Sequence, residues 1–188
     1  MVRRNLICYV LCFALSVFLF SAGDGYARTV RLRIATATMG GTWYPMGVGF
    51  GNIVTEGLKG EGITMTAQSS AGSIENLNML RGKETELAML IGFLGKMAWQ
   101  GTGQFEGKSF KGMRSILALQ TNLPHEVLLA DKIKTGTFAD IEGLHYNMGA
   151  AGSGAEQTLT IILKALNIKV RPEHLGYTQA VEAIKDRR

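Results

Sequence analysis

The 188-residue chain has only two cysteines, Cys8 and Cys12, and both fall inside one apolar run near the N-terminus, Leu6 to Phe20. Beyond that run there is no thiol, which excludes a disulfide framework, a thiolate zinc site and a cysteine nucleophile. The patterns that announce catalysis are missing too: HExxH, GxSxG, SxxK and CxxC do not occur. His125, His145 and His174 stand in three separate segments without metal-ligand spacing. In GQFEGKS, residues 103–109, three residues separate the glycines, where a phosphate loop needs four and should follow a strand rather than a helix. No enzyme activity, cofactor or metal is expected. Internal repeats and low-complexity tracts are absent as well.

Charge of one sign is also scarce in any one place. Taking Arg3, Arg4 and Asp24 from totals of 20 basic and 15 acidic residues leaves 18 and 14, a net charge near +4. The excess is scattered, and only the terminal KDRR forms a run. A nucleic-acid surface would want a basic stripe with interleaved aromatics, so no nucleic-acid partner is expected. A mildly positive body suits an anionic small ligand, although most such charge is simply solvated.

The N-terminus reads as an export leader. Arg3 and Arg4 precede the apolar run, and Gly25 and Ala27 are small residues at −3 and −1 of a cut after Ala27. The run is shorter than the ~20 residues of a bilayer helix, which favours cleavage and a periplasmic location. Residues 1–27 are therefore set aside as a signal peptide.

After the leader, strand and helix signals alternate. Strands are expected at Val30–Ala37, Ile63–Gln68, Leu87–Ile91, Ser115–Gln120, Glu126–Ala130 and His145–Met148. Helical spacing runs from Met46 to Leu58, through Ile74, Leu77 and Leu80 up to Gly82, from the third strand to Trp99, through Leu159, Ile162, Leu163 and Leu166, and from Thr178 onward. This alternation predicts an α/β fold with a parallel or mixed sheet covered by helices. Ligands of such sheets bind beyond the carboxyl ends of the strands.

Three strands leave through glycine and a hydroxyl residue into a helix: MGGTWYP (39–45), SSAGSIENL (69–77) and GAAGSGAEQTL (149–159). The first turn of a helix has unpaired N–H groups and about half a positive charge. Glycine lets an anion come close to them. Each entrance also has a purely structural reading: Ser73 and Ser153 are ordinary N-caps, Ser153 with Glu156 has capping-box spacing, and Glu75 already complements its helix dipole. Gly47, Gly49 and Gly51 weaken the first of these helices by roughly 1 kcal/mol each against alanine, which points to close backbone packing. Trp43 and Tyr44 read either as core aromatics or as walls over the apolar part of a solute.

Taken together, GGTWYPMG, SAGSIENL, QGTGQFEGK and GAAGSGAE, in this order, resemble the TAXI family, the solute-binding subunits of TRAP-type tripartite transporters. The likeness spans nearly all of residues 30–186. It implies a two-lobed, hinged fold of the periplasmic-binding-protein kind (type II), with a first lobe at 28–122 and part of a second at 123–188. It implies capture of a small organic acid or acidic amino acid, glutamate-like or a dicarboxylate, and its delivery to TRAP permease membrane subunits. By this resemblance Gly41, Thr42 and Tyr44 line one wall of the cleft, and Gly72, Ser73 and Asn76 form its floor. Gly152, Ser153 and Gly154 face them from the other lobe, with Tyr177 at the rim. Ile91-Gly92-Phe93 departs from the family, where a polar triplet is common, and makes that wall more apolar. A two-lobed receptor of this type takes about 250–300 residues, so the second lobe is expected to be incomplete. The alternative is a one-lobe signalling or interaction module that presents a solute to a membrane sensor.

Overall fold

The computed structural model describes residues 29–187; the leader assigned to 1–27 lies outside them. Strand β1 (Val30–Ala35) is central in a three-stranded parallel sheet, with β2 (Ile63–Gln68) on one side and β3 (Leu87–Ala88) on the other. Val30 pairs with Ile63 and Ala35 with Gln68 along the full length of β1 and β2, whereas β3 adds only Ile34–Leu87 and Ala35–Ala88. The expected third strand is thus cut short, because the chain turns at Ile91 to enter a helix.

Helix α1 (Trp43–Gly57) joins β1 to β2 and lies on them. Its face of Trp43, Met46, Phe50 and Val54 covers Ile34, Met65 and Met89. The glycines in this helix allow the approach. A Cβ at Gly51 would lie 2.8 Å from the Met65 carbonyl oxygen, and one at Gly47 would strike the Thr36 methyl. Gly49 meets nothing. Helices α2 (Ser73–Arg81) and α3 (Gly92–Gln100) build a second cluster around Leu77, Leu94, Ala98 and Phe105. Phe105 sits in a short 3₁₀ turn, Gly103–Phe105, so the GQFEGKS loop supplies a core side chain.

A separate two-stranded parallel sheet follows, β4 (His145–Asn147) with β5 (Arg171–Glu173). Helix α4 (Gly154–Leu166) crosses between them, and α5 (Tyr177–Lys185) follows β5. Here the core is Ile141, Met148, Leu159 and Leu163, with Leu128, Phe138, Ile168 and Val170 packed around it. Strand β5 was not anticipated: Arg-Pro-Glu is exposed along its length and has no apolar alternation.

Two expected strands do not form. Residues 115–120 and 126–130 have no partner strand. Among the described residues, the backbone of 115–128 makes no backbone-to-backbone hydrogen bond. Their β-like composition is real, but a strand exists only where a neighbour completes its ladder.

Candidate functional site

At the carboxyl end of β1 the chain holds itself in shape through Asn76. This side chain has no solvent exposure. Its amide donates to the carbonyls of Thr36 at 2.7 Å and Met89 at 2.8 Å, and its Oδ1 accepts from the Ser70 hydroxyl at 2.6 Å. The Ser70 hydroxyl in turn accepts from Gly72 N at 3.1 Å. Asn76 therefore ties α2 to the ends of β1 and β3. Its polar atoms are spent on the protein, which differs from the cleft-floor role the resemblance implied.

Ser73, also fully buried, accepts the Ile91 amide at 3.1 Å through Oγ and so fixes the entrance of α3. Gly72 precedes it with φ +123°, which a side chain would oppose. The Ile74 amide, one of the expected anion donors, bonds to the Gly152 carbonyl at 3.0 Å. The N-terminus of α2 is thereby joined to the loop that enters α4.

That loop has its own lock. Ser153 caps α4 by accepting the Glu156 amide at 3.1 Å, and the Glu156 carboxylate accepts from Gly152 N at 2.7 Å. The box closes one residue earlier than the usual pattern, on Gly152 rather than on the cap itself. His174 Nδ1 lies 3.4 Å from the other carboxylate oxygen of Glu156. In α2, Glu75 behaves in parallel by accepting the Ala71 amide at 2.6 Å. A carboxylate of the protein thus already faces the loop before each of these two helices. The amides of Ser73 and Glu75 in α2, and of Gly154 and Ala155 in α4, have no acceptor among the described residues. These four are the donors that remain for an anion.

The other two helix entrances also meet. The ring of Tyr177, 52% exposed, packs on Gly41: a Cβ there would lie 2.7 Å from Cε2. Thr178 covers Gly40, and Thr38 faces Gly176. Thr42 is exposed and gives α1 no side-chain cap, although its carbonyl accepts from Met46 N at 3.2 Å. Trp43 is half-buried and packs against the core of Ile34, Met65 and Met89, and Tyr44 is half-buried as well.

Between the two pairs of helix entrances lies a recess of about 20 Å³. Thr38 and Ala71 line it from one side, and Gly149, Ala150, Ser153, Ala155 and Leu175–Tyr177 from the other. Of the ten expected site residues, only Ser153 and Tyr177 reach this recess. Gly41 supports Tyr177, while Gly72, Ser73, Gly152 and Gly154 form the adjoining contact. Sequence reasoning missed Thr38 and Gly149, and it placed Ile91 on an apolar wall without its contact with Gly154. Gly149, with φ +90°, lies in the same GAAGSG stretch, and Thr38 ends the first strand run. Ile91 covers Gly154 so closely that a Cβ there would overlap its Cγ1 and Cδ1. Gln104 reaches across to Gln157 at 3.1 Å.

A space of 20 Å³ holds about one water, not a molecule with two carboxylates, since small-molecule sites run to roughly 300–1,000 Å³. The geometry is a closed seam of helix entrances at the carboxyl ends of parallel strands, where α/β sheets bind ligands. Fold and seam together define an α/β protein of the periplasmic-binding-protein kind. A model of the NMT1-like family matches residues 34–188, and the chain belongs to that family. The family is one of extracytoplasmic solute-binding receptors, with a small-molecule ligand and a membrane transporter as partner.

Proposed function

We propose that this protein is a TAXI-type receptor of a TRAP transporter and that it captures a small carboxylate in the seam between α1, α2 and α4, α5. The solute's carboxylate takes the amides of Ser73, Glu75, Gly154 and Ala155, and Tyr177 closes over the remainder. The protein binds and releases without covalent chemistry, and hands the solute to the permease membrane subunits. The supporting observation is the meeting of four helix entrances at one recess and its adjoining contact, with those amides free of acceptors among the described residues.

Entry requires the two sides to part, because the recess is far smaller than the guest. The contacts that must open include Tyr177 on Gly41, Thr178 on Gly40, Ile91 on Gly154, and the Ile74–Gly152 and Gln104–Gln157 hydrogen bonds. Ile91 favours one refinement. Its side chain stands where the two sides touch, so an acid with an apolar body fits better than one bearing an ammonium group, whose burial without a partner is costly.

Isothermal titration of the full chain against dicarboxylates, acidic amino acids and more apolar monocarboxylates tests this reading. Saturable binding of at least one class is expected. A folded protein that gives no heat with any of them overturns it.

A further inference from the structure

Glu156 links a histidine to the seam. One oxygen of its carboxylate, Oε2, accepts from Gly152 N at 2.7 Å and from Gln157 Nε2 at 3.4 Å. Gly152 in turn offers its carbonyl to the Ile74 amide across the seam at 3.0 Å. The other oxygen, Oε1, lies 3.4 Å from Nδ1 of His174, on the segment between β5 and α5. The Glu156 side chain is 20% exposed and that of His174 39%, so water screens their charges only in part. The histidine contributes a charge only when it is protonated.

This carboxylate stands beside the place a guest carboxylate must take. The free amides of Gly154 and Ala155 belong to the same first turn of α4 as Glu156, so an incoming anion meets a like charge there. At the entrance of α2, Glu75 poses the same opposition, but it is exposed and forms no ion pair among the described residues. The α4 entrance differs by having an imidazole against its carboxylate. The other charged groups on the elements packed around this pair are Lys164 on α4, His145 on β4, Arg171 and Glu173 on β5, and Glu182 and Lys185 on α5. His145 pairs with Glu173 at 3.0 Å and Lys185 with Glu182 at 3.0 Å, and none of these four lines the recess. Lys164 and Arg171 form no ion pair among the described residues.

We propose that His174 is a positioning residue that makes solute capture pH-dependent, by neutralising Glu156 when its imidazole is protonated. This rests on carboxylate binding in the seam. An imidazole takes up its proton between about pH 8 and pH 5. The imidazolium then pairs with Oε1 while Oε2 keeps Gly152 N, so the loop before α4 holds its shape and the field at the Gly154 and Ala155 amides becomes more positive. As pH rises the ring loses its charge and Glu156 stands unbalanced. The guest is then held less tightly. His174 acts through Glu156 and touches no solute.

Calorimetric titration of the full chain with glutamate and with 3-phenylpropionate, acids that stay ionised over the range, tests the proposal at about pH 6 and about pH 8. Affinity is expected to be about fivefold tighter at the lower pH, the scale of one charge added several ångströms from the guest. His174→Gln should bind at both pH values as weakly as the wild type does at the higher one. Glu156→Gln should bind at both at least as tightly as the wild type at the lower one. His145→Gln should keep the wild-type pH dependence. In the solute-free chain, the Gly152 amide resonance should move with pH and hold still in His174→Gln. Equal affinity at the two pH values overturns the proposal, as does a pH dependence that survives in His174→Gln or a Gly152 amide that does not respond. No heat with either acid, while the Gly152 amide still responds to pH, removes instead the seam as a carboxylate site, and the proposal with it.

Discussion

Ile74 and Gly152 are joined by a 3.0 Å hydrogen bond from the amide of one to the carbonyl of the other, across the seam between α2 and α4. It takes one expected anion donor out of use and gives the closed state a specific latch. Because the acceptor is a backbone carbonyl, its position depends on the conformation of Gly152 rather than on any side chain.

Gly152 and Ser153 should therefore respond differently to substitution. Gly152 has φ +76°, a conformation that a β-branched residue resists. Gly152→Val is expected to displace the latch and to abolish carboxylate binding in a calorimetric titration. Ser153→Ala removes one cap at about 1 kcal/mol and should change affinity only modestly. Unchanged affinity in Gly152→Val would remove the α4 entrance from the site.

Ile91 and Gly154 form a pair that a double-mutant cycle can measure. A Cβ at Gly154 would overlap Ile91 and lie 2.8 Å from Ser73 Oγ. Gly154→Ala is expected to cost ~1–3 kcal/mol through overpacking, read by urea unfolding. In the Ile91→Ala background most of that cost should vanish, giving a coupling of comparable size. Additive effects would show that the two residues do not share the contact.

Asn76 should behave as a structural residue. Asn76→Leu leaves the Met89 carbonyl without a partner, at ~1–3 kcal/mol for the orphaned group, while the Thr36 carbonyl and the Ser70 hydroxyl keep the 3.2 Å hydrogen bond between them. A lowered midpoint in chemical unfolding is expected. The fraction that remains folded should keep its solute affinity, because Asn76 lies behind the seam. A selective loss of affinity at unchanged stability would return Asn76 to the binding floor.

Asp140 predicts an acid-limb effect. The hydroxyl of Thr135 donates to it at 2.7 Å, and the amides of Lys134, Thr135 and Gly136 donate as well. The Thr135 hydroxyl first, and then these amides, hold its pKa at about 2 against an ordinary 3.8. A depressed carboxylate stabilises the fold above its unfolded pKa, and that contribution disappears as pH falls through the folded value. The thermal midpoints of the wild type and Asp140→Asn should therefore differ by a constant amount above about pH 4 and converge toward pH 2. A constant difference down to pH 2 would contradict the assignment.

Much of this protein was legible along the chain because local chemistry settles it. The apolar spacing of α1 and α4 follows from which face must be covered, and GAAGSGAE specifies a helix entrance through Ser153 and Glu156 alone. Even the glycines of α1 pointed to close packing, which Gly47 and Gly51 confirm against Thr36 and Met65. What tertiary structure decided was pairing. Arg171–Glu173 becomes a strand only because β4 lies beside it, while residues 115–120, with better β composition, stay unpaired for want of a neighbour. The same holds at the seam. Asn76 looked like a ligand contact and is a buried tie, and Ile91 reaches Gly154 across a distance in sequence that no local pattern encodes. Backbone propensity and capping act within a few residues, but a hydrogen bond or a packed side chain needs a partner, and only the folded chain supplies it.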